Sequence, residues 1–214
     1  MDQLQNDDAR ERLLTHGRAV LARDGFTRAR IKDIAEAAGV GIGTYYKHFP
    51  TKEALFQELA GTLLTEMISP TQGRVELRDE DPMNGIERAN RRYLDSYRRS
   101  TDLMGIIEEL SAVNPEVRRV QQTRSDAFRG RAADHIRALQ EAGLASPDVD
   151  PRFAGNALTA MVSKYTHAWL VHPSRTTGQP DFEESVFTLT LLWGNAIGLD
   201  TSAWVARWNS TPTP

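Results

Sequence analysis

The stretch Ile31 to Lys52, IKDIAEAAGVGIGTYYKHFPTK, decides the fold. Ile31 to Ala38 predicts a short helix with Ile31, Ile34 and Ala35 inward and Lys32 and Asp33 outward. Gly39 is placed to stop it in a left-handed conformation. Ile42 to His48 predicts a second short helix, ended by Phe49-Pro50, with Thr51 capping the next. Two short helices joined by a glycine turn, the second rich in Thr, Tyr, Lys and His, form a helix-turn-helix, whose second helix enters the DNA major groove.

Charge around this stretch agrees with a DNA partner. Residues 10–52 hold nine cations (Arg10, Arg12, Arg18, Arg23, Arg28, Arg30, Lys32, Lys47, Lys52) and four acids (Glu11, Asp24, Asp33, Glu36), hence 9 − 4 = +5. The whole chain carries −3, so the remainder carries −3 − 5 = −8. A basic head on an acidic body confines phosphate neutralisation to one surface.

The expected contacts follow from residue type. Gly41 and Gly43 let backbone approach phosphates closely, and Thr44, Tyr45 and Lys47 can point outward to base edges or phosphates, the direction of Tyr45 and Lys47 depending on a helix phase that sequence alone leaves open. Tyr46 and His48 contact the sugar-phosphate backbone, and Lys52 a phosphate. Ile42 and Phe49 pack back against Ile34, Ala38 and Val40.

The rest of the chain shows apolar residues at helical spacing and no alternation at period 2. A first helix runs from about Asp8 to Arg23 and ends at Gly25. A fourth begins after Thr51 and runs through Glu66. Residues 69–84 are a loop by their Pro, Gly and charge. Helices follow at about 85–100, 102–113, 115–142, 150–171 and 181–199, with a loop at 174–180 and a short helix near Thr201–Trp208. The fold class is therefore all-α, with an N-terminal three-helix DNA-binding domain and a larger C-terminal helical domain. The expected division is 1–52, a connecting helix at 53–67, and 68–214.

Several function classes lack support. There is no cysteine, hence no disulfide, thiolate metal site or cysteine nucleophile. The polar, acidic N-terminus is no secretory signal, and no apolar run approaches the ~18 residues of a membrane helix. A cytoplasmic location without membrane attachment is expected. His167 and His172 do not share a helix face well, and Glu108-Glu109 and the acids at 79–81 read as solvated charge. No metal, cofactor or catalytic constellation is expected.

The head resembles the TetR family of one-component transcriptional regulators. The resemblance rests on DGF at 24–26 and IKDIAEAAGVGIGTYYKHFPTKEALF at 31–56. Its pattern residues are Ile34, Ala35, Ala38, Gly39, Val40, then Gly43, Thr44, Tyr46, His48, Phe49, then Lys52 and Glu53. Two positions depart from it: Arg30 stands where the family usually has Thr, and Gly41 where it usually has Ser. Losing a Thr cap costs about 1 kcal/mol, while Gly caps almost as well as Ser. Arg30 also adds a cation beside the duplex.

The resemblance implies a homodimer on a palindromic double-stranded operator, and a body that binds a small-molecule effector and releases the DNA. Dimer candidates are Leu158, Val162, Leu189, Trp193, Ala196 and Ile197, on the broad apolar faces of two late helices. Pocket candidates are Tyr93, Tyr97, Met104, Ile107, Phe128, Met161, Tyr165 and Trp169, a mostly apolar set with a few hydroxyl or indole donors. The stretch Met161 to Leu199 is similar to members that sense acyl chains or steroid-like thioesters, so an apolar or amphipathic effector is expected. Two other readings stay open: a binding or scaffold protein of this fold that has lost DNA function, and an all-α enzyme whose head is incidental.

Overall fold

The computed structural model describes residues 2–68, 81–170 and 181–210, without the side chains of 2–7, 64–68, 109, 113 and 124. Every regular element among them is an α-helix: α1 Asp2–Arg28, α2 Ile31–Ala37, α3 Ile42–His48, α4 Lys52–Ile68, α5 Pro82–Arg98, α6 Thr101–Val113, α7 Pro115–Glu141, α8 Pro151–Leu170, α9 Phe182–Ala196 and α10 Ser202–Ser210. Of the expected loop at 69–84, residues 69–80 lie outside the described residues and residues 82–84 instead begin α5; the expected loop at 174–180 and His172 also lie outside the described residues. None of the described helices is long and apolar enough to cross a membrane.

Sequence dictates most of the helix ends. Asp81-Pro82, Asn114-Pro115 and Asp150-Pro151 each place an acceptor side chain just before a proline that has no N–H to satisfy. Asp81 accepts from Met83 N, Asn114 from Glu116 N, and Asp150 from Arg152 N and Phe153 N. Asp181 caps α9 in the same way, through Glu183 N and Glu184 N. The first helix extends to Arg28, past the expected Arg23, with a break at Gly25.

The chain forms two compact units, residues 1–66 with 100–121, and residues 67–99 with 122–214. This differs from the expected division, which gave everything after residue 67 to the body. The reason lies in α1 and α6: Arg18 reaches Ser100 Oγ at 3.2 Å and Asp102 at 3.4 Å, and Ser100 is buried. Helices α4 and α7 each run from one unit into the other.

In the first unit Leu13, Leu21, Ile34, Tyr45, Leu55 and Phe56 are fully buried. A Cβ on Gly17 would stand 3.0 Å from Leu55 Cδ2 and 3.4 Å from Ile34 Cγ2, so α1 passes both neighbours at the closest range a glycine allows. Phe26 meets Phe56 edge-on at 5.5 Å, a favoured aromatic geometry.

The second unit is built on Met83, Leu94, Ile136, Leu139, Val162, Val186 and Ile197. Helix α10 closes one side of it: Trp204 stacks on Phe187 at 5.3 Å and donates Nε1–H to Glu87 at 3.1 Å. Arg207 ties the same helix to Asp81 and Asn84.

This core corrects the expected dimer set. Leu158, Val162, Leu189, Trp193 and Ile197 are all buried within the chain, and of the six only Ala196 is exposed. Both faces of α8 and α9 carry apolar residues, and the bulkier face turned inward. The outward faces hold Phe153, 72% exposed, with Ala157 and Ala160 on α8, and Leu192, 47% exposed, with Thr188 and Ala196 on α9.

Candidate nucleic-acid interface

The turn between α2 and α3 is set by a Schellman motif. Gly39 has φ 65°, Gly39 N donates to Glu36 O at 3.0 Å, and Val40 N donates to Ala35 O at 3.0 Å. Those bonds satisfy carbonyls that the helix end leaves orphaned. The chain then re-enters helix at Ile42 through an extended Gly41.

Tyr45 and Phe49 fix the phase of α3. Both are buried, one helical turn apart, with rings 6.0 Å apart. The Tyr45 hydroxyl donates to Thr51 O at 3.2 Å, and burial, with smaller effects of Glu53 and Tyr46, pushes its pKa up to about 12. Tyr45 is therefore part of the core of the head and cannot point to base edges. Ile42, expected inside, is 51% exposed at the first position of α3, one turn before the exposed Tyr46.

The outward face of α3 consists of Ile42, Gly43, Tyr46 and Lys47, with Tyr46 52% exposed. Thr44 and His48 flank it, half-buried, and His48 Nε2 is closed off from solvent without a hydrogen-bond partner. A Cβ added to Gly41 or Gly43 would meet nothing within 4 Å, so packing inside the chain makes no demand for glycine at either position.

The cations of the head sort into two groups. Arg10 pairs with Glu58, Arg12 with Asp8, Arg18 with Asp102 and Arg23 with Asp24, while Arg28 donates to Asp24 O. Lys52 Nζ donates to Phe26 O at 2.6 Å and Ala29 O at 2.7 Å, and stands 4.5 Å above the Phe26 ring. It ties the last turn of α1 and the residue after it to the start of α4, which its expected role as a phosphate contact did not include. Arg30, Lys32 and Lys47 are exposed and have no partner among the described residues. All three lie on α3 or at the start of α2, where a surface for DNA would need uncommitted charge.

Sequence reasoning did not place Ile42 or Lys32 in this surface. Lys32 was visible as an outward cation; Ile42 gave no signal until the helix phase was known.

The expected pocket residues divide between the units. Met104 and Ile107 are buried in the first. In the second, Tyr93 stacks on Phe128 at 5.7 Å, and burial raises its phenol pKa, opposed by a hydrogen bond with Ser163. Tyr97 is buried, with its hydroxyl 2.9 Å from His167 Nδ1. Tyr165 pairs with Ser185 at 2.9 Å, Met161 packs half-buried on the core, and the buried Trp169 leaves its Nε1–H without an acceptor. Among the described residues no group of three or more His, Asp or Glu could hold a metal ion.

The model of the bacterial regulatory proteins of the tetR family matches residues 13–59, the segment that builds α1 to α4. The regulator EthR of Mycolicibacterium smegmatis is 25% identical over 191 residues, spanning 89% of this chain and 87% of that one. The regulator UidR of Escherichia coli is 27% identical over 172 residues, spanning 77% and 80%. A transcriptional regulator of Saccharomonospora viridis, solved in complex with choline, superposes with a TM-score of 0.66 over 87% of this chain and 95% of that one. At 20% identity that likeness speaks for the fold alone. The chain is thus similar, over its head, to the tetR family of bacterial regulatory proteins, and over most of its length to relatives named as HTH-type transcriptional regulators.

Proposed function

We propose that the protein is a repressor that binds a palindromic operator as a homodimer and leaves it when a small apolar or amphipathic molecule binds the body. The observation that supports this most is the surface of α3, where Ile42, Gly43, Tyr46 and Lys47 stand outward beside the unpartnered Arg30 and Lys32. Lys47 and Tyr46 meet base edges and backbone, and Ile42 offers an apolar contact for a thymine methyl group. Gly41 and Gly43 admit close approach, and Thr44 supplies a hydroxyl at the rim.

One such head binds weakly, and a second copy supplies a second α3 about one DNA turn away, roughly 34–36 Å. The outward faces of α8 and α9, with Phe153 and Leu192, are the apolar surfaces through which two copies pair. The aromatic groups Tyr93, Tyr97, Phe128, Tyr165 and Trp169 supply the body's effector site, and the unpaired Trp169 N–H suits an acceptor oxygen on the ligand. Ligand and DNA act on one equilibrium, so the effector need only favour the arrangement in which the heads no longer match the groove.

Native mass spectrometry of the purified protein with a duplex from upstream of its own coding sequence tests this reading. The expected result is two chains per duplex, with a bound small molecule seen only on DNA-free dimers. One chain per duplex at saturation would overturn the paired-head reading.

A further inference from the structure

The outward face of α8 shows Phe153, Ala157, Ala160 and Ala168, and this apolar stripe is broken in one place, by the exposed Lys164. The steps of three and four residues put Lys164 on the same stripe, one turn from Ala160 and one from Ala168. The outward stripe of α9, Thr188, Leu192 and Ala196, begins at the exposed Glu184. Neither Lys164 nor Glu184 has a side-chain partner among the described residues. We propose that the two pair crosswise between two copies, Lys164 of each with Glu184 of the other, and that this makes the face selective for a second copy of this chain. The proposal rests on the reading that two copies meet through α8 and α9.

The levels of the residues follow from contacts inside the chain. Tyr165 meets Ser185 at 2.9 Å, and Trp169 meets Phe182 at 6.4 Å, so α8 and α9 run antiparallel. Lys164 and Glu184, each one residue from the Tyr165–Ser185 bond, therefore stand at one end of the face and at one level. Both helices rise equally per residue, so counting from that bond brings Leu192 to the level of Ala157 and Phe153 to that of Ala196.

A two-fold axis along the helices sets α8 of one copy against α9 of the other at unchanged level. Lys164 then faces Glu184, Leu192 faces the small Ala157, and Phe153 faces the small Ala196. An axis across the helices would lay α8 on α8, where the outward stripe holds no acid. Covering Lys164 amid alanines takes a charge out of water, and the cost is offset where an opposite charge meets it. The apolar residues supply area to any similar helix pair. The charges reject those that lack the exchange.

The test uses full-length Lys164→Glu, Glu184→Lys and the double exchange, co-expressed in pairs in equal amounts. One chain of each pair carries a hexahistidine tag, so native mass spectrometry separates the mixed dimer from the two like dimers. Tagged and untagged wild type, pairing at random, should give about half of the dimers mixed. Lys164→Glu with Glu184→Lys restores both crossed pairs in the mixed dimer and in neither like dimer. Its mixed share should rise to about nine-tenths, as a roughly ten-fold preference requires. The double exchange keeps both pairs in its own dimer but sets like charge against like in a dimer with wild type. That mixed share should fall to about one-tenth. This second pairing remains decisive even where a single variant fails to fold.

A mixed share near one-half in either experiment overturns the proposal, since charges paired within a chain or left in water give random pairing. A wild type that is monomeric, or whose dimers survive Phe153→Glu with Leu192→Glu, would instead overturn the α8–α9 pairing itself, and the proposal with it.

Discussion

Replacing Lys52 by Met separates a stabilising role from a DNA-contacting one. Met keeps the length of the stem over the Phe26 ring but removes the ammonium, and with it two short bonds to Phe26 O and Ala29 O. Hydrogen bonds from a charged donor contribute about 1.5–3 kcal/mol each, and less where water can replace the donor. Lys52 is half-buried, so the expected loss is about 2 kcal/mol for the pair, well below the simple sum. For a chain of this size 1 kcal/mol moves the melting temperature by about 2–4 °C, so a fall of about 4–8 °C is expected. Thermal unfolding by circular dichroism at pH 7.5 measures it. A Lys52→Met variant that melts within about 1 °C of the wild type would refute the reasoning. The carbonyls would then be equally well served by water, and the ammonium would be available to DNA after all.

Gly155→Ala is expected to destabilise despite the better helix propensity of alanine, worth about 1 kcal/mol. The new Cβ would stand 3.0 Å from Ala133 N and 3.2 Å from Arg129 O, backbone atoms of α7 that cannot step aside, so a net loss of roughly 1–2 kcal/mol should appear in urea unfolding. His135 is half-buried and its pKa is lowered from 6.5 by desolvation, so the unfolded chain takes up the proton first as pH falls. Stability is complete above about pH 6.5 and declines below it toward the folded-state pKa; His135→Gln should flatten that part of the melting-temperature profile. Phe153→Glu with Leu192→Glu places charge on two exposed apolar positions of α8 and α9, and sedimentation should show monomers that keep the wild-type circular dichroism spectrum. An intact dimer would exclude those faces from the interface.

Much of the fold was legible because its signals are local. The Gly39 stop and the three Asx-Pro starts are decided by one or two residues each. The phase of α3 was not legible: seven residues make fewer than two turns, and nothing local tells Tyr45 from Tyr46 as the inward ring until Tyr45 finds Thr51 O. The same ambiguity hid the outward faces of α8 and α9, where apolar residues occur all round. The role of Lys52 depends on carbonyls supplied by residues 23 and 26 positions earlier, and no side-chain pattern announces a backbone acceptor. The placement of Ser100–Gln121 with the head depends likewise on Arg18, more than eighty residues away in sequence.

Hydroxyl-radical footprinting of the full-length protein on a duplex that it enriches from a random pool tests the central claim most directly, because it reads both the head and its pairing. Two protected patches on one face of the duplex, centred about 10–10.5 base pairs apart or a multiple of that, are expected. Lys47→Glu should abolish them while leaving the melting temperature unchanged. A single patch, or protection that survives Lys47→Glu, would contradict the account of two outward α3 surfaces acting together on DNA.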